Sequence, residues 1–175
     1  MALTSETFLY FAYGSNMLTS RLTRRTPSAT AVGIAYVEGY RLTFDKVSTD
    51  GSGKCDIEAT SNAADRVYGV LFRISTAEAA DLDVAEGFGH GYEKHEIKAV
   101  AASTKTRAIA YVATAKDPTR TPYHWYKALV IAGAEEHALP QDYIATLRAV
   151  PSQPDPDSTR RMRNEALLLR ANARD

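Results

Sequence analysis

The clearest hydrophobic pattern in the chain is an alternation with a period of two at residues 66–74. Such alternation is typical of a β-strand, and its length and apolar content predict a central one. Gly69 inside this run predicts a bend or the close approach of another backbone. A shorter run at residues 8–11 is wholly apolar and aromatic, which is the composition of a buried strand.

Weaker patterns bounded by turn residues predict the remaining strands. Residues 31–36 and 40–44 are two strands across a turn that contains Gly39. Residues 50–54 form a turn or loop. Further strands are predicted at 56–60, 92–101 and 107–113.

Apolar positions at helical spacing predict helices at 18–25, 123–138 and 140–150. The sequence Ser75-Thr76-Ala77-Glu78 is a capping box and predicts the start of another helix. On that helix Ala79, Leu82 and Glu86 share one stripe. On the helix at 123–138 the stripe contains Tyr126, Leu129, Val130, Gly133 and Ala134.

These elements do not follow strict βαβ alternation, which predicts an α+β fold whose antiparallel-rich sheet closes partly into a barrel. We place one domain at residues 1–150. The sequence PSQPDPD at 151–157 predicts a linker, and an arginine-rich helix follows at 158–174. That helix could pack on the domain through Met162, Leu167 and Leu169, or bind a partner.

Composition and charge narrow the function classes. The 175 residues suffice for one well-buried core, and 21 basic residues balance 21 acidic ones. We therefore expect no binding to nucleic acid or to a membrane. Neither a signal peptide nor an apolar stretch of about 18 residues is present, so we expect a soluble, cytoplasmic protein. Cys55 is the single cysteine, which excludes an intramolecular disulfide, and we expect it to be a bystander thiol.

Candidate chemistry begins at Tyr13-Gly14-Ser15-Asn16, directly after the first predicted strand. Gly14 permits a tight turn, and Ser15 or Asn16 can cap a following helix. Such a turn leaves backbone N–H groups without partners, which suits a carboxylate or a carbonyl oxygen. The alternative is a strand-to-helix turn that binds no ligand.

Glu86 is the strongest candidate for acid–base chemistry. It lies on an apolar stripe at a helix end, where a carboxylate loses hydration and is suited to take and return a proton. The alternative is a glutamate that bends into solvent or pairs with a basic residue. His90, between two glycines, is a weaker candidate. The histidines show no ligand spacing, and no GxSxG, P-loop or GxGxxG motif occurs, so we expect no metal and no nucleotide cofactor.

Three segments carry a resemblance to a known family. Residues 8–17, with YGSN at 13–16 followed by Met17, resemble the opening strand and signature loop of the γ-glutamylcyclotransferase family, which has the AIG2-like fold. LDVAEG at 82–87, followed by Gly91 and Tyr92, resembles the segment with its catalytic glutamate. Residues 126–147 resemble its late helical segment. The resemblance covers about residues 8–150 and not the tail.

The resemblance implies a small barrel with helices outside and cyclisation of a γ-glutamyl-amino acid to 5-oxoproline, which releases the amino acid without a cofactor. It implies that Glu86 is the general acid and base. The residues that it implies for substrate binding are Tyr10, Phe11, Ala12, Tyr13, Gly14, Ser15 and Tyr126.

Several alternatives stay open at this point. Tyr126 could equally be a core aromatic, Tyr13 could pack under the loop, and Asn16 could serve only as a cap. The substrate is a small γ-glutamyl compound, but γ-glutamyl-amines or glutathione could replace the γ-glutamyl-amino acid. The chain could also be a γ-glutamyl-binding module without catalysis. The tail could cover the pocket or build a homodimer.

Overall fold

A closed barrel of five strands forms the centre of the protein. The computed structural model describes residues 6–172, and the side chains of residues 6–169. The predicted α+β class and barrel are confirmed, with helices around the outside. The order of strands around the barrel is β1 (Thr7–Ala12), β5 (Arg66–Ser75), β2 (Thr30–Glu38), β6 (Tyr92–Ala101) and β7 (Thr104–Ala113).

The barrel closes where β1 meets β7 in its one parallel pairing, with Tyr10 opposite Ile109. The other four pairings are antiparallel. Between β2 and β6 the ladder holds a single residue pair, Tyr36 and Val100. The β6–β7 hairpin is therefore joined to the rest of the barrel by one pair in register on each side.

Strand β5 is central, as its alternation predicts, and pairs with β1 and β2 along its length. The prediction for Gly69 is also confirmed. A Cβ at Gly69 would lie 2.3 Å from the carbonyl oxygen of Ala12 and 2.8 Å from the ring of Phe11. Only glycine leaves room for β1 to lie this close.

Strands β3 (Tyr40–Val47) and β4 (Gly53–Ala59) form a separate two-stranded sheet. The predicted turn at Gly39 is present, but β3 pairs with β4, whereas β2 stays in the barrel. Gly39 donates its N–H to the carbonyl of Asp65 and accepts from the N–H of Thr60, both at 2.8 Å. These bonds to another loop direct the chain out of the barrel.

In the described part of the chain, five α-helices pack outside the strands. Their bounds are α1 (Thr19–Leu22), α2 (Ala79–Glu86), α3 (His124–Glu136), α4 (Gln141–Ala149) and α5 (Ser158–Asn172). The predicted stripe on α3 is buried, and α3 packs on a 3-10 turn at Ser15–Met17. Gly133 lies at that contact, where a Cβ would be 2.5 Å from the backbone nitrogen of Leu18. No helix between residues 6 and 172 combines the length and apolar character that crossing a bilayer requires.

The capping box before α2 is completed by a residue from another loop. Ser75 accepts a hydrogen bond from the N–H of Ala77 and caps a 3-10 turn, Thr76–Glu78, that leads into α2. Glu78, however, accepts from the N–H and hydroxyl of Ser28, and the Ser28 hydroxyl in turn accepts from the N–H of Ser75. The box therefore also fixes the approach to β2.

The arginine-rich helix α5 packs against α3 through an anchor in the predicted linker. Asp155 is 2% exposed and accepts from the indole of Trp125 at 2.8 Å and from Nε of Arg160 at 2.7 Å. Leu167 is buried as predicted, whereas Met162 and Leu169 are 60% and 72% exposed. The predicted helix end at residue 174 lies outside the described residues, as do residues 1–5 of the N-terminal stretch in which we expect no signal peptide. The domain boundary at 150 stays a prediction.

Candidate active site

The turn after β1 provides unpaired backbone donors. Within the described residues, the N–H groups of Gly14, Ser15 and Asn16 donate no hydrogen bond. The prediction that Ser15 or Asn16 caps a helix is wrong, because neither side chain bonds to a helix start. Both side chains form other hydrogen bonds, Ser15 with Arg21 and Asn16 with Arg25 and Glu86. The unpaired N–H groups can bind an anion or a carbonyl oxygen.

Three elements meet closely at Gly14. A Cβ at this position would lie 3.1 Å from Cβ of Cys55 on β4 and 3.3 Å from the hydroxyl of Tyr126 on α3. The lack of a side chain therefore lets the turn, β4 and α3 converge.

A pocket opens at this convergence. Its volume is about 30 Å³. The residues that line it are Tyr10, Tyr13, Gly14, Ser15, Asn16, Cys55, Glu86, Tyr92, Tyr111 and Tyr126.

Glu86 is the last residue of α2, and Gly87 ends the helix in a left-handed conformation with φ of 69°. The half-buried carboxylate receives two hydrogen bonds on one oxygen. The hydroxyl of Tyr10 donates to Oε1 at 2.7 Å, and Nδ2 of Asn16 donates to the same atom. Oε2 accepts no hydrogen bond from any described residue. One oxygen is thus fixed and the other is available to a ligand.

Five of the ten lining residues are tyrosines, and the hydroxyl of each one has a partner. Tyr13 donates to the carbonyl of Tyr111, Tyr92 to the carbonyl of Cys55, and Tyr111 to the carboxylate of Asp83. Tyr126 differs, because its hydroxyl accepts the N–H of Cys55 at 3.1 Å.

Burial raises the pKa of the hydroxyls of Tyr10, Tyr13, Tyr92 and Tyr126 well above the ordinary value. These four hydroxyls are therefore neutral at physiological pH.

Cys55 is 2% exposed and contributes to the lining, which the sequence did not indicate. Burial raises the pKa of its thiol to about 12. The backbone N–H of Cys55 donates to Tyr126, its carbonyl accepts from Tyr92, and its thiol lies beside the hydroxyl of Tyr126. The thiol is thus protonated at neutral pH and is not a nucleophile.

Two arginines stand behind the turn. Nε of Arg21 donates to the hydroxyl of Ser15, and Arg25 donates to Oδ1 of Asn16, both at 3.1 Å. Because Arg25 occupies the amide oxygen, the amide NH₂ of Asn16 is directed to Glu86. The side chain of Asn16 is thus a link in the site and not a helix cap.

The structure brings together most of the residues that the sequence singled out. Tyr10, Tyr13, Gly14, Ser15, Glu86 and Tyr126 all line the pocket. Phe11 and Ala12 are fully buried in the core outside this lining, so their expected contact with substrate has no support in the geometry. Asn16, Cys55, Tyr92 and Tyr111 are additional. His90 is exposed, and no cluster suited to a metal occurs among the residues described.

Comparisons with known proteins show which family the chain resembles. A family model described as the AIG2-like family matches residues 66–147. A Mus musculus protein named gamma-glutamylcyclotransferase is 34% identical over 150 residues, which cover 83% of this chain and 79% of the mouse protein. A Homo sapiens protein of the same name is 31% identical with the same coverage. A solved structure called gamma-glutamyl cyclotransferase gives a TM-score of 0.77 at 30% identity, over 87% of this chain and 92% of the other.

Proposed function

The chain belongs to the γ-glutamylcyclotransferase family, and on this basis we propose that it converts γ-glutamyl-amino acids to 5-oxoproline, with Glu86 as general base and then general acid. The observation that carries the assignment to Glu86 is the asymmetry of its carboxylate. Tyr10 and Asn16 fix Oε1, while Oε2 has no partner among the described residues. A carboxylate held in this way is oriented for proton transfer.

The reaction is a cyclisation within the substrate. The α-amine nitrogen attacks the γ-carbonyl carbon, and a C–N bond forms while negative charge develops on the carbonyl oxygen. The bond from that carbon to the leaving nitrogen then breaks. All reacting heavy atoms come from one molecule, so the protein must supply pose, proton transfer and charge stabilisation.

Glu86 supplies the proton transfer. The α-ammonium of the substrate is largely protonated at neutral pH and must lose a proton before it can attack. Oε2 of Glu86 accepts this proton and returns it to the leaving nitrogen as its bond to carbon breaks. The attacking nitrogen loses a second proton as the ring amide forms, and this proton ends on the released amine. The products are a neutral ring amide and an ammonium, and the carboxylate is restored.

The turn at residues 13–16 positions the glutamyl group of the substrate. The unpaired N–H groups of Gly14, Ser15 and Asn16 are suited to the α-carboxylate or the developing oxyanion. Tyr126 lines the pocket on the α3 side and can contact the same group. The donors and Glu86 border one pocket, so a folded glutamyl group can contact both.

Incubation of the protein with γ-glutamyl-alanine, followed by mass spectrometry of 5-oxoproline, tests the proposal. We expect turnover by the wild type and a loss of about 10²–10⁴-fold in Glu86→Gln, because general base catalysis is typically worth this much. Glu93→Gln, at an exposed position of β6, is the matched control and should retain activity. Circular dichroism checks that both variants are folded. Equal turnover in Glu86→Gln and wild type would remove Glu86 from the mechanism.

A further inference from the structure

A second cavity, lined largely by arginines, lies behind the turn at residues 13–16. It is an open cleft of about 580 Å³ between α1 with its following turn, the β3–β4 turn, and α5. We refer to it as the arginine cleft. It shares no lining residue with the pocket and is a separate cavity. Its charged lining residues are Arg21, Arg24, Arg25, Arg160, Arg163 and Asp50.

Most of the positive charge in the arginine cleft is not balanced by carboxylates. Arg160 pairs with Asp155, and Asp50 pairs with Lys54. Among the described residues, the other four arginines of the cleft form no salt bridge. The cleft therefore carries an excess of guanidinium groups, although the whole chain has a formal net charge of zero.

Two of these arginines have donors to spare. Nε of Arg21 donates to the hydroxyl of Ser15, and Arg25 donates to Oδ1 of Asn16, both at 3.1 Å. Each guanidinium group has five N–H donors, of which the described residues engage two on Arg21 and one on Arg25. Burial, followed by the neighbouring charge of Arg25, lowers the pKa of Arg21 to about 10. Negative charge placed between the two groups would offset their repulsion.

We propose that the arginine cleft binds a small anion with two or more phosphate groups, and that this binding increases turnover at the separate pocket. A phosphate group presents three acceptor oxygens in different directions, so it can accept from guanidinium groups on different sides of a cleft. Three of the four arginines without a salt bridge lie on α1 and its following turn, and the fourth, Arg163, lies on α5. A second phosphate group lets one anion contact both elements. The volume of the cleft is in the range of small-molecule sites.

A chain of hydrogen bonds connects the arginine cleft to the proposed catalytic carboxylate, although the two cavities are separate. Arg25 donates to Oδ1 of Asn16, and the amide of Asn16 donates to Oε1 of Glu86. An anion bound to Arg25 restricts the movement of its guanidinium group, which keeps the Asn16 amide directed at Glu86. Only this effect on turnover rests on the proposed cyclisation, whereas the anion site does not.

Titration with pyrophosphate at constant ionic strength tests the site. Binding is measured by calorimetry and by the fluorescence of Trp125, the only tryptophan in the chain, which lines the cleft. We expect saturable binding by the wild type. The double variant Arg24→Gln/Arg163→Gln should bind about threefold to tenfold more weakly, because it loses one exposed charge on each side of the cleft. Arg161→Gln, on the same helix but outside the cleft lining, is the matched control and should bind as the wild type does.

Three results would overturn the site: no saturable binding by the wild type, equal affinity in the double variant, or an equal loss in Arg161→Gln. Inorganic phosphate and citrate test the chemistry of the anion. Both should bind more weakly than pyrophosphate, because phosphate has a single group and the groups of citrate are planar carboxylates. Equal or tighter binding of either one would overturn the assignment to an anion with several phosphate groups.

Turnover of γ-glutamyl-alanine tests the coupling. Saturating pyrophosphate should raise the kcat of the wild type by about twofold or more, and the double variant, whose two substitutions lie outside the pocket lining, should keep its basal kcat and need more pyrophosphate for the same rise. An unchanged kcat would overturn the coupling. A higher KM at unchanged kcat would assign the pyrophosphate to the pocket and overturn the proposal. If no γ-glutamyl compound yields 5-oxoproline, the proposed cyclisation fails, while the binding titrations still decide the site.

Discussion

The hydroxyl of Tyr10 donates a hydrogen bond of 2.7 Å to Oε1 of Glu86, although 76 positions separate the two residues in the chain. Tyr10 is on the first barrel strand and Glu86 is at the end of α2. Tyr10 is 4% exposed, so this bond lies largely out of solvent. The barrel wall therefore sets the orientation of the proposed catalytic carboxylate.

Tyr10→Phe should lower kcat by about tenfold or more while KM changes little. The substitution removes one charge-assisted donor and keeps the ring, so Glu86 loses orientation while the Gly14 turn is retained. Steady-state kinetics with γ-glutamyl-alanine measures the split. Tyr36→Phe, on β2 and outside the pocket lining, is the matched control. An effect confined to KM would indicate that Tyr10 contacts the substrate and does not position Glu86.

Gly133→Ala should lower the stability of the protein by about 1–3 kcal/mol, the usual cost of overpacking. The added Cβ would meet the backbone of Leu18 at 2.5 Å, and backbone cannot move aside as a side-chain end can. In an isolated helix the same substitution would stabilise the helix by about 1 kcal/mol. The sign of the measured change in stability therefore distinguishes a close contact from a free helix. Urea denaturation measures it. A stabilised variant would show that α3 does not press on the Ser15–Met17 turn.

Asp155→Asn should weaken the attachment of α5, and the effect should depend on pH. Arg160, followed by Trp125, holds the pKa of Asp155 well below its ordinary value of 3.8. A lowered pKa in the folded state adds stability that is present above the ordinary value and is lost as pH falls through the folded one. The difference in unfolding free energy between wild type and Asp155→Asn should thus be constant from pH 7 to about pH 5 and shrink below 3.8.

Urea titrations at several pH values, followed by fluorescence, measure this difference. Trp125 is the only tryptophan in the chain and donates directly to Asp155, so its emission reports on the anchor. Asp81→Asn, at an exposed position of α2, is the control. A difference that grows on acidification would contradict the assigned direction of the pKa.

Cys55 should react very slowly with iodoacetamide in the folded protein at pH 8. With the pKa of the thiol at about 12, roughly one molecule in 10⁴ carries the thiolate at that pH, and the side chain is 2% exposed. Cys55→Ala should retain turnover within about threefold, because the backbone hydrogen bonds of this residue are kept. Labelling measured by mass spectrometry should become fast in urea. Rapid labelling without urea would show that the thiol is accessible.

Local patterns predicted most of the elements. The alternation at 66–74 predicted β5, and the stripe on α3 predicted its buried face, because both patterns record which side meets the core. Local patterns could not show that β3 leaves the barrel, since the bonds of Gly39 to Asp65 and Thr60 join residues that are distant in sequence. The docking face of α5 was predicted only in part for a similar reason: the buried Asp155 fixes the rotation of the helix.

More than half of the candidate site was predictable from the sequence, and the rest depends on tertiary contacts. The resemblance identified Glu86 and the Gly14 turn, and the structure brings them to one pocket. The pocket roles of Tyr92 and Tyr111 have no local signal, because each belongs to an ordinary strand pattern. Asn16 was assigned as a cap because asparagine favours that position, but its amide is held between Arg25 and Glu86.

Because the β6–β7 hairpin is attached to the barrel by so few strand pairs, ligand binding in the pocket should affect the local stability of the hairpin. Tyr92 and Tyr111 lie on this hairpin, while Tyr10 and the Gly14 turn form the opposite wall of the pocket. A ligand that contacts both walls connects the hairpin to the rest of the barrel, where strand pairing provides one residue pair on each side. Occupied molecules should therefore exchange the amide protons of this hairpin more slowly and resist proteases longer than empty ones.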